Sequence, residues 1–226
     1  MPGAPSAFGM ALANLWYSMN DIWRGRMPSA FARPKAVAKA TGTRWLNWSL
    51  PFLVTALAFG LTVSSAMGRG MTGINNFISG WDYDFGVSGM YSFGFGYYFR
   101  LFIYVTIVVF VFYILRTLAV WLAGLSSGVN TDFASAGTAV AVAANLLWLP
   151  LLVATVLLWI FPVGFTSMLL PVASLGLVLM VEITTYVGVT RLGRPVRSPL
   201  VPYVWYTVIA VIVTALFAML AFPITL

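Results

Sequence analysis

The chain has no cysteine and no histidine, and only five acidic residues among 226. Without cysteine there is no disulfide, no thiolate nucleophile and no Cys-bound zinc. Without histidine the commonest general base and metal ligand is missing. Charged residues of both signs make up only 8% of the chain, against about 25% in a soluble domain. Hydrophobic residues make up 61%, more apolar surface than a chain of this length hides from water. These shortages exclude a soluble single-domain enzyme and a disordered chain. They leave an integral membrane protein whose solvent is largely lipid.

Catalytic chemistry is thin for the same reason. Intramembrane proteolysis needs a Ser–His pair, a carboxylate pair or His-bound zinc. Glu182 is the one acid inside the apolar runs described below. No Walker-type phosphate loop occurs, and no group of metal ligands. The sequence therefore predicts no enzyme, no metal and no cofactor.

A spanning helix takes about 20 mostly apolar residues. Five such runs are present, at about 45–67, 97–125, 136–161, 164–189 and 203–222. The expected fold is all-α: a five-span bundle over residues 45–226, preceded by a cytoplasmic lead over residues 1–44. The second run is long enough to imply tilt or protrusion. Only Pro162-Val163-Gly164 separate the third and fourth runs, which predicts a tight antiparallel hairpin. No basic-then-apolar signal peptide opens the chain, so the first run reads as an uncleaved anchor.

Basic residues set the orientation. Arg24, Arg26, Arg33, Lys35, Lys39 and Arg44 precede the first run, and Arg191, Arg194 and Arg197 lie between the fourth and fifth. Five spans put both groups on one side, opposite Arg69 and Arg100. The N-terminus is expected in the cytoplasm and the C-terminus outside. The net charge of +7 then favours anionic lipid headgroups. It does not indicate nucleic acid, because no nucleic-acid-binding fold accompanies it.

Residues 7–24 read as an interfacial amphipathic helix. Phe8, Leu12, Leu15, Trp16, Met19, Ile22 and Trp23 recur at spacings of three and four, with Asn14, Ser18 and Asn20 off the stripe. A second short segment follows from Phe31 to Ala40, opened by Pro28-Ser29 and carrying Arg33, Lys35 and Lys39. The pair either covers the cytoplasmic end of the bundle or docks a partner protein or lipid. Residues 68–96 hold eight glycines with interleaved aromatics. They read as a loop folded back onto the outer interface, or as a lid or a recognition surface. Asp82 and Asp84 alone are a weak cation signal.

Two charges stand inside the runs. Arg116 and Glu182 each lie about 11–14 Å from the cytoplasmic end of a run, counted at 1.5 Å per residue. An unpaired charge at such depth costs about 3 kcal/mol on insertion scales. Equal depth predicts that the two face each other. They either fix helix register or form a site for a proton, an ion or a polar substrate. Pro51, Pro150 and Pro171 lie within runs and are expected to kink them. Ala139, Ala143, Ala144 and Gly176 are expected to let helices approach closely.

Several local patterns resemble the Yip family of five-span membrane proteins. The lead Pro28-Ser29-Ala30-Phe31-Ala32-Arg33-Pro34-Lys35 resembles its Pro/Phe segment before the first span. Gly128-Val129-Asn130-Thr131-Asp132-Phe133, followed by Leu149-Pro150-Leu151, resembles its Gly-rich loop, Phe and mid-span proline. Thr185-Tyr186-Val187 to Arg191 resembles its fourth-span exit. The Gly/aromatic segment is longer than the family's usual connection, and no zinc-binding N-terminal module is present. The resemblance covers roughly residues 28–222. It implies a non-enzymatic membrane-organising scaffold or accessory subunit; eukaryotic members bind small GTPases. Ten Arg against two Lys, with abundant Ala, points to a GC-rich bacterial source and an inner-membrane location. The alternative is a small transporter or channel using Arg116 and Glu182.

Overall fold

The structure, a computed structural model, describes residues 6–42, 44–85, 95–161, 163–193 and 200–221. Among the described residues there are eight helices and no strand: α1 (Ala7–Trp23), α2 (Met27–Thr41), α3 (Leu46–Phe85), α4 (Phe95–Ser126), α5 (Phe133–Ala144), α6 (Trp148–Ile160), α7 (Val163–Thr190) and α8 (Leu200–Ala221). Four stretches are long and apolar enough to cross a bilayer: Leu46–Gly70, Phe95–Ser126, Phe133–Ile160 and Ala173–Thr190. The apolar part of α8, Leu200–Ile212, is shorter. The helices fit a multi-pass membrane protein. Leu175, Ile183, Trp159 and Val211 are more than half exposed, as apolar side chains facing lipid are.

Local chemistry sets the helix ends. Ser6 caps α1 by accepting the Gly9 N–H at 3.1 Å. Pro28 stands in the first turn of α2, where its missing N–H costs nothing. Gly42 ends α2 at φ +69°, a left-handed conformation that suits glycine. Asp132 caps α5 by accepting the Ser135 N–H at 3.0 Å.

The third run departs from the sequence expectation. It is two helices, α5 and α6, separated at Asn145–Leu147. Here the chain tightens to i→i−3 bonds, from Leu146 N–H to Ala143 and from Leu147 N–H to Ala144. The cause is Pro150. It has no N–H to give Leu146, and its ring crowds that carbonyl, so the break falls just before it. Pro150 itself sits in the first turn of α6, where proline is tolerated. By contrast, α3 and α7 continue through Pro51 and Pro171 without interruption.

A further expectation is corrected. Residues 68–85 are not a loop but the last part of α3. Glycine costs a helix about 1 kcal/mol relative to alanine, which weakens but does not forbid continued i→i−4 bonding. Asp82 and Asp84 fall in its last turn. The remainder of the Gly/aromatic segment, from Gly86 to Gly94, lies outside the described residues. The turn of the hairpin expected between the third and fourth runs, at Pro162, lies outside the described residues; among the described residues the fourth run, α7, packs mainly on α5 of the third.

α5 is the centre of the bundle and packs against α2, α3, α4 and α7. Ala136, Gly137 and every residue from Ala139 to Ala144 are buried. Small side chains let several helices converge on one axis. A Cβ on Gly137 would lie 3.1 Å from Trp48 of α3, and one on Gly188 of α7 would lie 3.1 Å from Ala139. Among the described residues nothing lies within 4 Å of a Cβ placed on Gly176.

Candidate functional site

The polar groups between the spanning helices fall into three sets. In the first, the Arg116 Nη2 of α4 donates to Glu182 Oε1 of α7, and also to Thr185 Oγ1 at 3.3 Å. The Arg116 guanidinium lies 5.6 Å from the centre of the Tyr206 ring on α8. One arginine therefore ties three helices together. The Arg116 side chain is 12% exposed, whereas that of Glu182 is 34% exposed. Arg116 Nε is buried with no bonding partner among the described residues. Tyr186 and Tyr203 close the neighbouring α7–α8 seam, edge to face at 5.0 Å. The structure thus brings together the two charges that the sequence placed at equal depth. It adds Thr185 and Tyr206, whose roles no sequence spacing announces.

The second set joins α3 to α5 and α6, which run parallel. The Thr55 hydroxyl donates to the Ala144 carbonyl at 3.1 Å, the Thr62 hydroxyl to Leu151 at 3.0 Å and Arg69 Nε to Leu158 at 2.9 Å. Each contact spans 89 positions and each follows the last by seven residues. Trp48 against Gly137 extends the same register one step toward the N-terminal lead. A seven-residue repeat is how two helices at a shallow crossing angle keep meeting on one face. Thr62 also shares a hydrogen bond with Thr155 at 2.9 Å. Arg69, expected only as an outer-side charge, does more. Its Nη2 reaches the Phe161 carbonyl at 3.2 Å, so it caps the carbonyl end of α6. The signal was available as Thr-x6-Thr-x6-Arg, but it means little until the partner helix is known.

The third set lies where α1 and α2 meet the bundle. The apolar stripe expected on α1 is divided. Leu15, Met19 and Ile22 are buried, but Phe8, Leu12, Trp16 and Trp23 are about half exposed. The buried face also holds Asn14, Ser18 and Asp21, two of which were read as off the stripe. Polar side chains turn inward because they have partners there. Ser18 donates to Asn14 at 3.0 Å, and Asp21 accepts Arg33 Nε at 2.5 Å. Asn145, at the break between α5 and α6, donates to the Leu15 carbonyl at 2.6 Å. The Asp21 carboxylate holds the Arg33 guanidinium above its ordinary range, chiefly through that hydrogen bond.

Among the other basic residues, Arg44 pairs with Asp132 at 3.4 Å, and Arg191 stacks over Phe31 at 5.7 Å. Arg24 and Arg26 are exposed at the turn between α1 and α2. Lys35 and Lys39 line a cavity beside α5. Arg194 and Arg197 lie outside the described residues. No group of three or more potential metal-ligating residues occurs among the described residues.

Comparison of the chain with protein-family models, with curated proteins and with solved structures gives no match.

Proposed function

We propose that this chain is a non-enzymatic membrane scaffold or accessory subunit, of the kind that the Yip resemblance implies. In this reading α8 is the fifth span, the N-terminus is cytoplasmic and the membrane is a bacterial inner membrane. α1 lies at the cytoplasmic interface, and its exposed Phe8, Leu12, Trp16 and Trp23 meet lipid headgroups or a partner protein. Anionic lipids gather at the basic lead.

The observation that carries the reading is how the intramembrane polar groups are used. Arg116 is engaged through Nη2 by Glu182 and Thr185 and through its face by Tyr206, and Thr55, Thr62 and Arg69 by backbone carbonyls. Groups bonded to one another hold helices in register. A conduction path instead needs groups facing a cavity.

Purification in mild detergent from the native membrane, with mass spectrometry of what accompanies the chain, tests the proposal. A stoichiometric partner is expected. A chain that emerges alone and carries solute flux in liposomes, with the flux lost in Glu182→Gln, would establish transport instead. One feature favours that second reading: Glu182 is a third exposed and Arg116 Nε has no bond among the described residues.

A further inference from the structure

The interval between α2 and the start of α5 is a cavity of about 680 Å³. Lys35, Lys39 and Arg44 line one side of it, and Ser135 and Thr138 of α5 the other. A second cavity of about 350 Å³ shares Lys35, Arg44 and Ser135. Lys35 and Lys39 are one helical turn apart on α2. Like charges at that spacing repel when nothing neutralises them. Arg33 has Asp21, and Arg44 has Asp132 at the rim. Lys35 and Lys39 have no carboxylate partner among the described residues. Asp132, the one acid bordering the cavities, is already engaged in capping α5. The walls therefore carry three cations against one committed carboxylate. They also carry three hydroxyls, all engaged within the protein: Thr138 donates to the Ala134 carbonyl at 2.8 Å, Thr131 to the Asp132 carbonyl at 3.4 Å, and Ser135 bonds the Asp132 carboxylate.

We propose that this cavity is a discrete site for one phosphate group. Lys35 and Lys39 would donate to its oxygens as flexible point charges, with Arg44 at the mouth. A bound phosphate relieves the Lys35–Lys39 repulsion, which gives the site an affinity that a diffuse basic surface lacks. The phosphate belongs either to an anionic lipid headgroup or to a free phosphate ion. The proposal does not depend on the scaffold reading, since either a scaffold or a transporter accommodates such a site.

The test uses the full chain in detergent. Phosphatidic acid, phosphatidylglycerol and phosphatidylcholine are titrated by native mass spectrometry, and inorganic phosphate by calorimetry. One saturable site is expected, weakened about thirtyfold in Lys35→Gln/Lys39→Gln, from about 1 kcal/mol per lysine. Lys35→Arg/Lys39→Arg should retain it, and Arg24→Gln/Arg26→Gln, which removes the same charge elsewhere in the lead, should leave it unchanged. Saturable binding of the anionic lipids but not of inorganic phosphate assigns the site to a headgroup. Saturable binding of inorganic phosphate assigns it to the free ion. Equal weakening by the two double Gln variants, or no saturable binding of any probe, overturns the proposal. Circular dichroism of each variant confirms that binding losses do not reflect unfolding.

Discussion

Thr62 of α3 donates its hydroxyl to the Leu151 carbonyl of α6 at 3.0 Å, across 89 positions of sequence. The same offset recurs at Thr55 with Ala144 and at Arg69 with Leu158. α3 is thereby held parallel to α5 and α6, in one register. A slip by one residue would break all three contacts together.

Removing the rungs should therefore be additive in cost but specific in effect. Thr62→Val, which keeps volume and loses the hydroxyl, is expected to destabilise the chain by about 1 kcal/mol. Thr55→Val/Thr62→Val should cost about twice that. Thermal unfolding in detergent measures it. Thr207→Val on α8, whose hydroxyl bonds only within its own helix, should change little.

Arg69 holds the C-terminal end of α6 through the Leu158 and Phe161 carbonyls and lies 5.8 Å from the Trp159 ring. Arg69→Ala should destabilise by about 1–2 kcal/mol, with faster hydrogen exchange confined to the end of α6. Arg69→Lys should recover only part, because one ammonium does not reach two carbonyls in a fork.

For Arg116 and Glu182 the informative comparison is single against double. Arg116→Leu alone leaves Glu182 without its partner and should cost roughly 2–3 kcal/mol. That lies at or below the lower end of the range for a fully buried pair, because Glu182 is a third exposed. Arg116→Leu/Glu182→Leu should be close to wild type in stability. A charge-swapped double no more stable than either swapped single would show that the pairing is not energetic.

The start of α5 should depend on pH. Ser135, through its side chain and its backbone N–H, holds the Asp132 carboxyl below its ordinary 3.8, with help from Arg44. A carboxyl with a depressed folded pKa stabilises above its unfolded value and loses that contribution as pH falls through the folded one. The cap is thus fully present at pH 7 and is lost only below about pH 4. Exchange rates of the Ser135 and Ala136 amides, compared with Asp132→Asn, measure this.

Asn145 ties α1 to the break in the third span through the Leu15 carbonyl. Asn145→Leu removes that bond and should loosen α1 without unfolding the bundle. Protease sensitivity at the turn between α1 and α2, around Arg24 and Arg26, should rise several-fold while the bundle's unfolding temperature shifts by only a few degrees.

How much of this was legible in the sequence follows from the range of each force. Hydropathy is a property of consecutive residues, so the apolar helices were readable within a few positions. Charge burial is costly wherever it occurs, so Arg116 and Glu182 stood out, and their equal depth suggested their meeting. Proline acts on its own preceding turn, so Pro150 marked a disturbance, though not that the run would divide into two helices. The glycines between Gly68 and Gly80 misled, because their cost to a helix is small against the bonding of a long one.

What tertiary structure alone decided is which carbonyl each hydroxyl meets and which face of α1 turns inward. An Asn or Ser on a helix is polar in any sequence count. Whether it faces water or a buried partner depends on a residue as distant as Asn145 and on how α1 lies against the break. The hydrophobic effect has no direction, so it selects helices for the membrane without choosing their neighbours. Hydrogen bonds have direction, and the register of this bundle is set by the few that cross between helices.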